Sequence, residues 1–186
     1  LSLLDSADLR NNRLNFAELA PFVSALPSLN LKYTPQALVG IDTNIVERVG
    51  VNLVLTADST HVDDAVIWFK DGVQVANQAV LTLNSVVVSN TGKYTYTITN
   101  SNAAALTLRS RVIDLQVVPD LHPDDAASLR AIYSILGGLN WVGATNWNDD
   151  NVFEGNWKGV VLENDPNDVN FSRVITLDLS STGLVQ

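Results

Sequence analysis

The chain has 186 residues, enough for one large domain or two small ones, and it is 46% hydrophobic and 17% charged, too apolar for intrinsic disorder. Twenty acids against eleven bases give a net charge of −9, the wrong sign for a nucleic-acid footprint. There is no Cys, so disulfides, thiolate nucleophiles, zinc-thiolate sites and iron–sulfur clusters are excluded, and only His61 and His122 offer imidazole. No apolar run approaches the length of a membrane span. The lack of Met and of a signal peptide at the start predicts a processed chain or a segment of a longer one. The acidity is uneven: residues 119–186 carry ten acids and three bases, whereas residues 1–118 are nearly balanced. The shift predicts a boundary near Pro119, and the acidic third reads as a solvated surface or as an electrostatic face for a cation or basic partner.

Residues 4–14, LDSADLRNNRL, place Leu4, Ala7, Leu9, Asn12 and Leu14 on the L-x-x-L-x-L-x-x-N-x-L spacing of a short strand that turns at an Asn, and so resemble a leucine-rich repeat. A helix is expected next, with Asn15 and Glu18 as a capping box. Phe16, Leu19, Phe22, Val23 and Leu26 fall at helical spacing, Pro21 is tolerated only near the start, and Pro27 ends the helix.

From Val51 to Val118 the period becomes two. Val51, Leu53 and Leu55 alternate, then Val66 and Trp68, then Leu81 and Leu83, Val86 and Val88, and Tyr94, Tyr96 and Ile98. Leu106, Leu108, Ile113, Leu115 and Val117 complete the run, with a phase slip near Arg111–Val112 that predicts a bulge or bend. Asp71-Gly72 is a turn dipeptide. Short strands with turn signals at this spacing predict a β-sandwich. Asn90-Thr91-Gly92-Lys93-Tyr94-Thr95-Tyr96, together with Trp68, resembles the D-x-G-x-Y-x-C run of immunoglobulin-like domains. That resemblance implies a tyrosine corner at Tyr94, with Leu55 (or Leu53) and Tyr96 standing where the paired cysteines would be. Trp68, Tyr94 and Tyr96 read as core rather than as a ligand-stacking platform. The loops near Ser59–Asp64 and Ser101–Ala105 read as better places for a partner.

The last third opens with HPDDAASLRAIYSILGG. Pro123 suits the first helical position, Asp124 and Asp125 the positive end of the helix, and Gly137-Gly138 its stop, with Ala126, Leu129, Ile132, Tyr133 and Leu136 on one face. Leu129, Ile132, Tyr133, Gly137, Gly138, Asn140, Trp141, Asn146, Trp147, Trp157, Gly159, Val160, Arg173, Val174, Leu177 and Leu179 resemble the N-terminal capping region of leucine-rich repeat proteins. The resemblance implies that the tryptophans shield the end of the first repeat, whose framework runs Val174, Leu177, Leu179, Thr182 and Leu184. Carbohydrate stacking by Trp141, Trp147 or Trp157 is the alternative. The acidic stretch Glu163–Asn170 reads as a hairpin turn before it reads as a calcium loop, because it lacks the EF-hand order. Asn170-Phe171-Ser172 is a glycosylation sequon.

The expected fold is mainly β with minor α: an Ig-like sandwich (41–118) flanked by a terminal repeat and helix (1–40) and by a repeat cap with its first repeat (119–186). One repeat cannot bury its own core. The expected function is therefore a non-enzymatic extracellular or cell-surface adhesive module without cofactor, catalytic group or metal. Its assembly edges would be Leu4, Leu9 and Leu14 at one end and Val174, Leu177, Leu179 and Leu184 at the other. Partners would be further copies of the chain or adjacent repeats of a longer one, with neither nucleic acid nor membrane insertion. Copies fused directly would bring Val174 within sixteen residues of the next Leu4, short of a repeat period of roughly 20–29, so separate subunits fit better. The alternative is a glycan- or protein-binding module of a receptor or adhesin.

Overall fold

The computed structural model describes residues 4–138, 141, 147 and 157–180. Asn140, Asn146, Thr182 and Leu184, all named above, lie outside the described residues. The chain divides into two compact units. One comprises Leu1–Glu47, Val51–Val86 and Asn90–Gln116, the other Arg48–Gly50, Val87–Ser89 and Val117–Gln186.

In the first unit, strand β1 (Ser6–Asp8) and strand β2 (Asn30–Lys32) flank helix α1 (Phe16–Ala25). The two strands pair in parallel, Ser6 with Asn30 through Asp8 with Lys32, an offset of 24 residues. Asn12 turns the chain after β1, its Nδ2 donating to the Leu9 and Arg10 carbonyls. Gln36 ties the far side: its Nε2 donates to the Leu9 and Tyr33 carbonyls and its Oε1 accepts from the Leu14 N–H. The capping box of α1 is complete, Asn15 Oδ1 accepting from the Glu18 N–H and the Glu18 carboxylate from the Asn15 N–H. Phe16, Leu19 and Ala20 are buried, and α1 packs on the 3-10 turn Ser101–Ala103. Burial is concentrated in the N-terminal half of α1. Phe22, placed on the apolar face by its spacing, is 51% exposed.

The rest of this unit is a sandwich. Its larger sheet orders β3 (Thr43–Arg48), β10 (Ile113–Val118), β8 (Gly92–Asn100), β5 (Asp64–Lys70) and β6 (Val73–Ala76), with β9 (Thr107–Arg109) also on β8. Among the described residues the smaller sheet holds two strands, β4 (Leu53–Thr56) and β7 (Val80–Leu83). β9 and β10 follow one line, broken where the phase slips: the Ser110 N–H donates to the Tyr96 carbonyl, its Oγ accepts from the Tyr96 N–H, and Val39 donates to the Arg109 carbonyl and accepts from the Arg111 N–H. Thr43 donates to the Val112 carbonyl as β3 joins β10.

Trp68, Tyr94, Ile98, Leu106, Leu108 and Leu115 are almost wholly inaccessible. The Tyr94 hydroxyl donates to the Asn90 carbonyl at 2.8 Å, which closes the tyrosine corner. Trp68 and Tyr96 meet at 4.8 Å between ring centroids, and with buried Leu55 they fill the space where Ig domains carry a disulfide. At the turn, Asp71 and Gly72 both take positive φ, 50° and 83°. The alternation through Val86 and Val88 does not continue a strand. Val86 is core, but Val88–Asn90 is a 3-10 turn that carries the chain from one sheet to the other.

In the second unit, β11 (Asp120–Leu121), α2 (Pro123–Ile135), β12 (Val160–Asn164) and β13 (Phe171–Leu177) form a helix over a sheet of order β11-β13-β12. β11 runs parallel and β12 antiparallel to β13. Pro123 opens α2 with Asp124 and Asp125 in its first turn, and Gly137, at φ 65°, follows its end. Leu121, Ala126, Leu129, Trp141, Trp147 and Trp157 make one buried cluster.

Candidate assembly edges

At the first edge, the alternation of β1 decides what is free. The Asp5 carbonyl and the Leu9 N–H bond to β2, at Asn30 and Lys32. Ser6 and Asp8 therefore turn their backbone groups the other way, and among the described residues no strand lies there. Leu4 is 46% exposed, while Leu9 and Leu14 are half-buried. Asp8 is held by Arg10 through paired side-chain bonds of 2.7 and 2.9 Å. These bonds and the Arg10 N–H lower its carboxyl to about 2.

At the second edge, β12 covers one side of β13 along Ser172–Leu177, with a register shift at Val161–Leu162. β11 covers the other side only at Phe171 and Ser172. Val174, Leu177 and Leu179 are half-buried because their inner sides pack on the tryptophan cluster. Leu184 lies outside the described residues. Sequence reading overlooked Val161 and Ile175, which expose half or more of their surface on the same hairpin; their alternation with Leu162 and Val174 was the available signal.

A charged clasp holds α2 to β13. Arg173 Nε and Nη2 donate to the two Asp125 oxygens at 2.9 and 2.8 Å, and the Val174 N–H donates to Asp125 Oδ2 at 2.7 Å. Burial pushes the Asp125 carboxyl up, but the Val174 and Arg173 bonds outweigh it and leave it below its ordinary value. Asp165, beside Arg173 at 3.8 Å, is lowered first by the Asn167 N–H.

Trp141, Trp147 and Trp157 are at most 6% exposed and stack on one another and on Tyr133. They present no ring face to a sugar, so the stacking role weighed from sequence is closed to them. Trp68, Tyr94 and Tyr96 are equally enclosed. The Glu163–Asn170 stretch closes the β12–β13 hairpin, Glu163 and Asn164 ending β12 and residues 165–170 making the turn, and no cluster of three or more metal-ligating side chains occurs among the described residues. The sequon amide of Asn170 is engaged on both sides, Oδ1 accepting from the Val88 N–H and Nδ2 donating to Asp168. Of the two loops expected to receive a partner, Ser101–Ala105 packs Ala103 against α1 and leaves Ser101, Asn102, Ala104 and Ala105 exposed. No described helix is long and apolar enough to cross a membrane.

No protein-family model matches the chain, and no curated protein matches it. Among solved structures it is similar to extracellular domains 3–5 of Drosophila OTK, at 16% identity and TM-score 0.38, over 43% of this chain and 34% of that one. It is similar to the V domain of amphioxus IgVJ-C2 at 16% identity and TM-score 0.36, over 39% and 98% of the two chains. For domain D1 of Duf (Kirre) the values are 15% identity, TM-score 0.39, and 44% and 95%. The chain thus spans about a third of the OTK fragment. The Ig-like assignment rests on this molecule's own strand order, its tyrosine corner and its enclosed Trp68.

Proposed function

We propose that the chain is a non-enzymatic extracellular adhesive or structural module that assembles head to tail, the β13 edge of one copy stacking on the β1 edge of the next. The parallel register of β1 on β2 carries this reading. An offset of 24 residues lies within the period of leucine-rich repeats, and Asn12 bonds the turning backbone as the repeat Asn does. The tryptophan cluster beneath β13 matches the role of a repeat cap, with Val174, Leu177 and Leu179 spanning from it toward the edge. The division into 1–40, 41–118 and 119–186 is part of the same proposal. Such a heterologous contact need not close and so builds a fibre or a tandem stalk.

Light scattering across concentration tests it. Mass is expected to grow with concentration, and a chain carrying Leu4→Asp should stop growth when mixed in, because it offers only one competent end. A species of constant monomer mass at high concentration refutes the proposal.

A further inference from the structure

We propose that the open edge of β4 pairs two copies of the chain side by side, through a contact separate from the head-to-tail one. β4 and β7 pair in even register, Leu53 with Leu83 through Thr56 with Val80. The bonds of Ala57 N–H to the Ala79 carbonyl and of Val86 N–H to the Val51 carbonyl fix the alternation. Odd-numbered residues bond to β7, so the N–H and C=O groups of Val54 and Thr56 point outward. Among the described residues no strand lies beside them. The sandwich stays open on this side: a cleft of about 320 Å³ runs along Thr43, Thr56, Asp58 and the Tyr96 hydroxyl.

Soluble proteins blunt their edge strands with bulges, Pro or Lys. β6, the last strand of the larger sheet, has such a break in its register, at Val75 between the residues that face Trp68 and Phe69 of β5. β4 has none: no bulge, no Pro, and no charged residue from Val49 to Ala57. In a chain of net charge −9, this is a stretch along which two copies meet without repulsion. Val54 is 56% exposed on it.

The occupant is therefore a second copy, antiparallel about a two-fold axis at Leu55. Val54 of each copy then faces Thr56 of the other. β-branched residues oppose one another and no like charges meet. The product is a continuous four-stranded sheet of order β7-β4-β4-β7.

Sedimentation of the full-length chain tests this. Thr56→Pro removes an outward N–H without touching the β7 ladder, and Val54→Lys places a charge on the edge. Each is expected to weaken lateral association by about tenfold or more. Thr82→Pro, which blocks the outer edge of β7, should leave it unchanged. Cross-linking reads the register. In a chain without Cys, mixing Val54→Cys with Thr56→Cys should give a disulfide heterodimer more readily than either variant alone, since hydrogen-bonded partners lie about 5.5 Å apart at Cα. The proposal is overturned if both β4 variants, folded by near-ultraviolet circular dichroism, associate like the parent. It is equally overturned if Thr82→Pro alone abolishes pairing, or if the mixed cysteines cross-link no better than the controls. Leu4→Asp should leave the cross-link intact, which separates failure here from failure of head-to-tail stacking.

Discussion

Tyr94→Phe isolates the tyrosine corner. The substitution keeps the ring, which is 1% exposed, and deletes only the hydroxyl that reaches the Asn90 carbonyl at 2.8 Å. Nothing fills the gap, so the half-buried Asn90 carbonyl loses a partner as well. Loss of a hydrogen bond at such a site costs about 1–2 kcal/mol. In a chain of this size that lowers the melting temperature by about 2–8 °C. Tyr96→Phe is the internal comparison. Its hydroxyl accepts from the Asp58 N–H at 3.1 Å beside an open cleft, where water replaces it. The expected order is therefore Tyr94→Phe well below Tyr96→Phe, with Tyr94→Ala lower still by about 3–5 kcal/mol from cavity formation. Urea unfolding followed by circular dichroism and by calorimetry measures all three. If Tyr94→Phe matches the parent within about 0.3 kcal/mol, or if Tyr96→Phe proves the costlier, the corner does not pin the strand and the reasoning fails.

Gly159 takes φ 85°, and a Cβ there would sit 1.9 Å from the Asp178 carbonyl oxygen, so Gly159→Ala should open the β12–β13 hairpin and cost at least about 2 kcal/mol, read as a red shift of tryptophan emission. Burial raises the Tyr94 and Tyr96 phenols above 10, so the unfolded chain ionises first; urea midpoints should hold below about pH 10 and fall as pH climbs through the folded values. Asp125 is lowered, so its contribution should be present above about pH 4 and vanish as pH falls through the folded value; Asp125→Asn should flatten that acid limb. Asn15→Ala should destabilise the first unit by about 1 kcal/mol through loss of the cap, measured by urea unfolding.

Local chemistry was legible in the sequence wherever a residue acts on its near neighbours. The Asn15–Glu18 box, Pro123 at the start of α2, the Asp71-Gly72 turn and the break near Arg111–Val112 all formed where spacing placed them. What failed to show was set by distant cover. Phe22 has helical spacing but is left exposed, and Val88 keeps the period of two while its backbone turns. The Arg173–Asp125 clasp joins residues 48 apart, and composition gives no hint of it. The open side of β4 was invisible for a similar reason, since a strand's own residues do not say whether a neighbour lies beside it.

Because Leu55, Trp68 and Tyr96 fill the place of a disulfide, this sandwich needs no thiol oxidation to complete its core. No thiol must find its mate as the chain folds, so no disulfide isomerase or electron acceptor is needed, and reductant should leave its unfolding midpoint unmoved. The domain can be matured as well in a reducing cytosol as outside the cell.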